Sequence, residues 1–198
     1  VIYVLPMYSD VTGSIAAECC SYYEAWYDYM YYINAVKGGI EVTDPEKGPL
    51  KVKFESPFRD TKYDAATTIS VYDSFLALKP MPAYICGMAG TPGITALKPT
   101  LEREGRVLCT SSGGIELYTP DSPIYIQKMV YQETFRAALD LIKEDWESKG
   151  KEGMPKVGHL SWDNPFGRGD LWGAEEYAKK IGVVYDSSLN EFLPMAVV

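Results

Sequence analysis

The sequence predicts an α/β protein with parallel sheets and helices on both faces. Three observations point there. Strand-like and helix-like segments alternate along nearly the whole chain. Several apolar runs lead directly into stretches rich in Gly, Ser or Pro, as at strand ends. The composition, 46% apolar and 23% charged over 198 residues, is that of a folded chain with a substantial core.

Each element follows from local pattern. Val1–Met7 is β-branched and apolar and reads as a strand. Ile15–Lys37 lacks Pro and Gly, repeats Tyr22, Trp26, Tyr29 and Ile33 at helical spacing, and stops at Gly38-Gly39. Leu50–Glu55 alternates as a strand, and Asp64–Leu78 reads as a helix stopped before Pro80. Ala83–Cys86 is a short strand, Thr95–Glu104 a helix, and Arg106–Cys109 another strand. Tyr125–Lys149 reads as a long amphipathic helix ended by Gly150. Lys156–Trp162 is a strand, Asp170–Lys180 a helix stopped by Gly182, and Val183–Tyr185 opens a further strand.

The stretch TSSGGIELYTPDSPI, Thr110–Ile124, is longer than an ordinary strand-to-helix loop. It marks the expected boundary between a first lobe, 1–120, and a second, 121–198. The second sheet then has too few strands, and the expectation is a fragment whose second lobe is truncated.

Composition excludes several classes. Formal net charge is −8, which disfavours nucleic acid, whose phosphates demand basic patches. No apolar run approaches the roughly 20 residues of a membrane-spanning helix. The chain has one histidine, His159, and no CxxC pair, so no metal site and no cofactor are expected. Cys19 and Cys20 are adjacent and diverge on a helix. Cys86 and Cys109 end two strand-like runs, and the sequence leaves a disulfide and buried free thiols both open. The chain opens directly on VIYVLPM, so for an exported protein a signal peptide is expected to have been removed.

In parallel sheets, ligands bind beyond the carboxyl ends of strands, so those loops are the candidates. GMAGTPG, Gly87–Gly93, is spaced GxxGxxG rather than GxGxxG and does not follow the first strand, so it fits a dinucleotide poorly. It reads as a tight turn or as a cup for a small anion at a helix N-terminus, with the Thr91 hydroxyl. CTSSGG, Cys109–Gly114, offers hydroxyl and N–H donors or a simple hydroxyl-capped turn, and no GxSxG elbow accompanies it. WDNPFGRG, Trp162–Gly169, is a turn that presents Phe166 or packs it beneath its own loop. The tyrosine-rich helix reads as a core face with an amphipathic surface, against an aromatic ligand box. Paired carboxylates such as Glu175-Glu176 sit at solvated helical positions, so no catalytic set emerges.

INAVKGGI (Ile33–Ile40), FRDTKYDAATTIS (Phe58–Ser70), GMAGT, EREGRVLCTSS and WDNPFGRG occur in this order. Together they resemble the type I periplasmic binding proteins that feed ABC transporters, nearest the branched-chain amino acid and amide binding group. The resemblance covers almost the whole chain. It implies a two-lobed, non-enzymatic protein that closes on a small amino acid-like or related carboxylate between its lobes. It also implies delivery to a membrane permease, and a periplasmic or extracellular location with or without a membrane anchor. On the matching positions, Ala89, Gly90 and Thr91 take the ligand carboxylate, and Ser111, Ser112 and Gly113 add donors and a carbonyl. Tyr131 and Phe166 come from the second lobe. Gly114 stands where a hydroxyl residue is common, and Glu18 stands where the family often has an aromatic or small polar residue. A carboxylate at Glu18 would favour a cationic or amide-bearing ligand. A ligand-sensing receptor domain of the same fold is the alternative, with a phosphate-binding α/β enzyme behind it.

Overall fold

The computed structural model describes residues 1–88, 90–111 and 113–195, with the backbone alone at Met88. The described residues form two compact units. One comprises residues 1–111 and 121–125; the other lies within 112–120 and 126–196.

The first unit opens with a break. Val1–Met7, expected as one strand, is β1 (Ile2–Val4) followed by β2 (Met7–Ser9). After α1 (Ala16–Tyr31) and a π turn over Tyr32–Val36 come β3 (Ile40–Asp44), β4 (Gly48–Glu55) and β5 (Phe58–Asp60). β1 pairs in parallel with β4, and β2 with β5. Pro6 interrupts one chain and Pro57 the other, because proline has no N–H for the ladder. The pairing bridges the break: Leu5 N–H donates to Glu55 O (2.9 Å), and Met7 N–H to Pro57 O (3.0 Å).

β3 and β4 form an antiparallel hairpin that the alternating pattern did not announce. Its turn is held by Asp44 Oδ1, which accepts from the N–H groups of Glu46 (2.9 Å) and Lys47 (2.8 Å). α2 (Ala65–Leu76) starts from Asp64, whose Oδ1 accepts from Thr67 N–H at 2.7 Å. Next come β6 (Tyr84–Met88), α3 (Thr91–Glu104), β7 (Val107–Thr110) and β8 (Ile124–Ile126). α3 begins four residues before the expected Thr95. Pro92 falls in its first turn, where a missing N–H costs nothing. β8 replaces the start of the helix expected from Tyr125; Ile124-Tyr125-Ile126 follows Pro123, whose carbonyl accepts from Leu108 N–H at 3.1 Å.

The main sheet runs β5-β2-β6-β7-β8, and the pairs β2–β5, β2–β6 and β6–β7 are parallel. Tyr8, Ile85 and Leu108 of the strands are buried, as are Tyr72 and Phe75 of α2 and Ile94, Leu97 and Leu101 of α3. α1 lies over β2 and β5, with Ser9 Oγ donating to Cys19 O (3.4 Å) and the Tyr23 and Phe58 rings 4.2 Å apart. Cys86 and Cys109 sit opposite each other on neighbouring strands, and the four cysteines are thiols. Burial pushes the Cys86 thiol up to about 11, so it stays protonated at neutral pH.

The second unit holds α4 (Tyr131–Ser148), β9 (Lys156–Val157), β10 (Leu160–Trp162), α5 (Pro165–Arg168), α6 (Ala174–Ile181), β11 (Val184–Tyr185) and β12 (Glu191–Leu193). The strand expected over Lys156–Trp162 divides at Gly158-His159, and its halves take different parallel partners, β9 with β11 and β10 with β12. Leu139, Ala178 and Val183 form the core, packed by Phe135, Val157, Tyr177, Ile181 and Tyr185. Among the described residues, no helix is long and apolar enough to cross a membrane. Leu139 is fully buried. Leu139→Ala should therefore lower the unfolding free energy by about 2–5 kcal/mol in urea titration.

Candidate functional site

The order β5-β2-β6 means that the chain leaves β2 to one side and returns on the other. Beyond the carboxyl ends of such a strand pair lies the crevice where open α/β sheets bind ligands. Here that position is bridged by a side chain of the protein itself. Asp10 follows β2 and is fully buried. Its Oδ1 accepts from the Thr61 hydroxyl (2.6 Å) and Tyr63 N–H (2.6 Å), and its Oδ2 from Gly90 N–H (2.7 Å). Burial raises its pKa, and these three donors pull it back down. One carboxylate thus fastens the ends of β2 and β6 and the loop after β5.

Two backbone features serve that arrangement. Lys62 and Tyr63 both lie in the left-handed region, at φ of 56° and 58°, an unusual conformation for such residues. It brings Tyr63 N–H to Asp10 and its ring over Gly90. A methyl group at Gly90 would overlap that ring, so glycine is required by the close approach rather than by its dihedral. A neighbouring carboxylate, Asp60, secures the adjoining loop: Oδ1 accepts from Val11 N–H (3.1 Å) and Lys62 N–H (3.0 Å), and Oδ2 from the Thr12 hydroxyl.

The expected site residues fall as follows. GMAGTPG is the end of β6 and the first turn of α3, with Gly90 as the residue before the helix. Gly90 N–H is committed to Asp10, and the Tyr63 ring fills the space a side chain would take there. Thr91 is buried, with 2% of its surface exposed, at the first helical position. Ser111 is half-buried just past β7, the strand beside β6. Thr110, before it, has a buried hydroxyl with no hydrogen-bond partner among the described residues. Glu18 is exposed in the first turn of α1, where an acidic side chain complements the helix dipole. Ala89 and Ser112 lie outside the described residues.

In the second unit, Gly113, Tyr131 and Phe166 come together. Tyr131 N–H donates to Gly113 O at 3.1 Å. The Tyr131 and Phe166 rings meet edge to face at 5.2 Å. Phe166 is 44% exposed. It is presented by α5, whose start is capped by Asn164 Oδ1 accepting from Gly167 N–H at 2.9 Å. Buried Gln132, missed in the sequence, links this region: its Oε1 accepts from Ile115 N–H (3.0 Å) and its Nε2 donates to Gly169 O. His159 supports the same turn from below, with Nε2 3.1 Å from Gly167 O and 3.4 Å from Asp170 Oδ1. A carbonyl only accepts, so Nε2 carries the proton. Burial raises the Asp170 pKa and the nearby imidazole opposes that rise.

Among the described residues, no group of three or more His, Cys, Asp or Glu side chains could hold a metal ion.

No protein-family model matches the sequence, and no curated protein does. Solved structures do. A branched-chain amino acid ABC transporter protein from Thermus thermophilus with bound valine superposes at a TM-score of 0.77 and 21% identity, over 98% of this chain and 46% of that one. A substrate-binding protein of an ABC transporter from Aeropyrum pernix reaches 0.79 at 18% identity, over 98% and 47%. A fatty acid ABC transporter substrate-binding protein from Thermomonospora curvata gives 0.74 at 20%, over 98% and 45%. The chain therefore has the fold of the type I periplasmic solute-binding proteins and spans a little under half the length of these structures.

Removing one donor from Asp10 tests its importance. Thr61→Val should cost about 1.5–3 kcal/mol of stability at neutral pH, the worth of a hydrogen bond to a charged group. The sign of the pH dependence is fixed by the raised pKa. Below the unfolded value the carboxyl is protonated in both states. As pH rises past it, the native state holds its proton longer, and stability falls until the folded pKa is passed. The penalty of Thr61→Val should grow over the same window in urea titrations at stepped pH.

Proposed function

We propose that the chain is the ligand-capturing part of an extracytoplasmic solute-binding protein, without catalytic function. On this reading it takes up a small amino acid-like or related carboxylate and passes it to the membrane permease of an ABC transporter. The observation that carries the reading is the set of hydroxyl residues at the carboxyl ends of β6 and β7, beside the strand-order reversal: Thr91, Thr110 and Ser111, with the Gly90 backbone next to them. The fold shared with transporter proteins, one of them holding valine, supports it. Within the second unit, Gly113, Tyr131 and Phe166 form a candidate aromatic surface of their own. Exposed Glu18 would favour ligands that also carry an ammonium or amide group.

A phosphate ligand at α3 fits less well. Asp10 already places a buried carboxylate 2.7 Å from Gly90 N, and a dianion there would meet like charge. A thermal-shift screen against amino acids, amides, aromatic acids and nucleotides tests the reading. Stabilisation by a carboxylate is the expected result, and stabilisation by nucleotides alone would refute it. For the best carboxylate, Ser111→Ala should weaken binding by about 1–3 kcal/mol in titration calorimetry. Unchanged affinity would remove Ser111 from the site.

A further inference from the structure

The tyrosine-rich stretch of α1 has no part in the site above. Positions 22–32 hold seven aromatic residues, and Tyr27, Tyr29 and Tyr31 are each more than half exposed. Tyr23, Trp26, Tyr27 and Met30 of α1, with Phe54 and Phe58 of the strands, line an open groove of about 250 Å³ within the first unit.

The groove's indole, serine and amide groups are already committed. Trp26 Nε1–H donates to Ser56 Oγ (2.6 Å), and the Ser56 hydroxyl to Leu5 O (2.7 Å). The Asn34 amide donates to Phe54 O (2.7 Å) and accepts from Phe54 N–H (2.9 Å). What remains for a guest is mainly the faces of rings. Among the described residues, no charged side chain lines the groove. α1 carries Glu18, Glu24 and Asp28 and no basic residue, and none of the three forms an ion pair among the described residues. Lys53 and Arg59 neighbour Phe54 and Phe58 in sequence, and strand alternation directs them to the opposite face. Just beyond α1 the chain already makes a contact of the relevant kind, with Lys37 Nζ 5.6 Å from the Tyr32 ring centre.

We infer that this groove binds a small soluble quaternary ammonium compound. Ring faces carry the negative end of the aromatic quadrupole and attract a cation. An acidic helix reinforces that attraction and repels anions. A quaternary nitrogen has no N–H to leave unsatisfied, which suits a wall whose indole, serine and amide groups are taken. This inference does not depend on the proposed transport role.

Titration calorimetry of the chain with choline and with its uncharged carbon isostere, dimethylbutanol, provides the test. Choline should bind about fivefold to tenfold more tightly than the isostere. Tyr27→Leu and Trp26→Leu should each weaken choline binding about threefold or more, with Tyr27→Leu the safer variant because its ring is exposed. Equal binding of the two probes, no binding of choline, or two folded variants with unchanged affinity would overturn the inference. So would a chain that runs as a dimer dispersed by Tyr27→Lys, since the groove would then be a self-association surface.

Discussion

The first unit is organised around one buried carboxylate. Asp10 collects donors from two segments besides its own: Thr61 and Tyr63 after β5, and Gly90 before α3. A charge removed from water is tolerated only when its hydrogen-bonding capacity is met. The left-handed backbone at Lys62 and Tyr63 is consistent with that demand, since it delivers an N–H that an ordinary loop conformation would point elsewhere. The geometry of the strand-order reversal, and so of the candidate site beside it, depends on this knot.

The second unit reaches a comparable result by different means. Its candidate residues are held by Gln132, whose amide bridges Ile115 and Gly169, and by His159 beneath the α5 turn. A methyl group at Gly167 would run into the Trp162 carbonyl, so glycine there lets the turn sit close on β10. Both units therefore set their candidate residues on a scaffold of buried polar groups, Asp10 in the first and Gln132 with His159 in the second.

The two proposed ligand surfaces differ in chemistry. The strand ends of the first unit gather hydroxyls and backbone, which suit a polar ligand oriented by hydrogen bonds. The α1 groove presents rings on an acidic helix and suits a cation that needs none.

Much was readable in the sequence. The alternation of strands and helices, the stops at Gly38, Gly150 and Gly182, and the Asp64 helix start all follow from local propensity and periodicity, which act over a few residues. The loops after β6, β7 and β10 could be singled out because Gly, Ser, Asn and Pro cluster there for local reasons. Pro6 carried a local signal for the first break in its missing N–H, but the division at Gly158-His159 could not be read, because a strand's partner is chosen by chain tens of residues away. Asp10 was invisible for the same reason. A lone aspartate after an apolar run looks like any turn residue, and only the tertiary structure supplies the three donors that make it a buried anchor. Sequence determined which elements form, through local energetics; the fold decided which polar groups are left to meet a ligand, because that depends on which groups have already met each other.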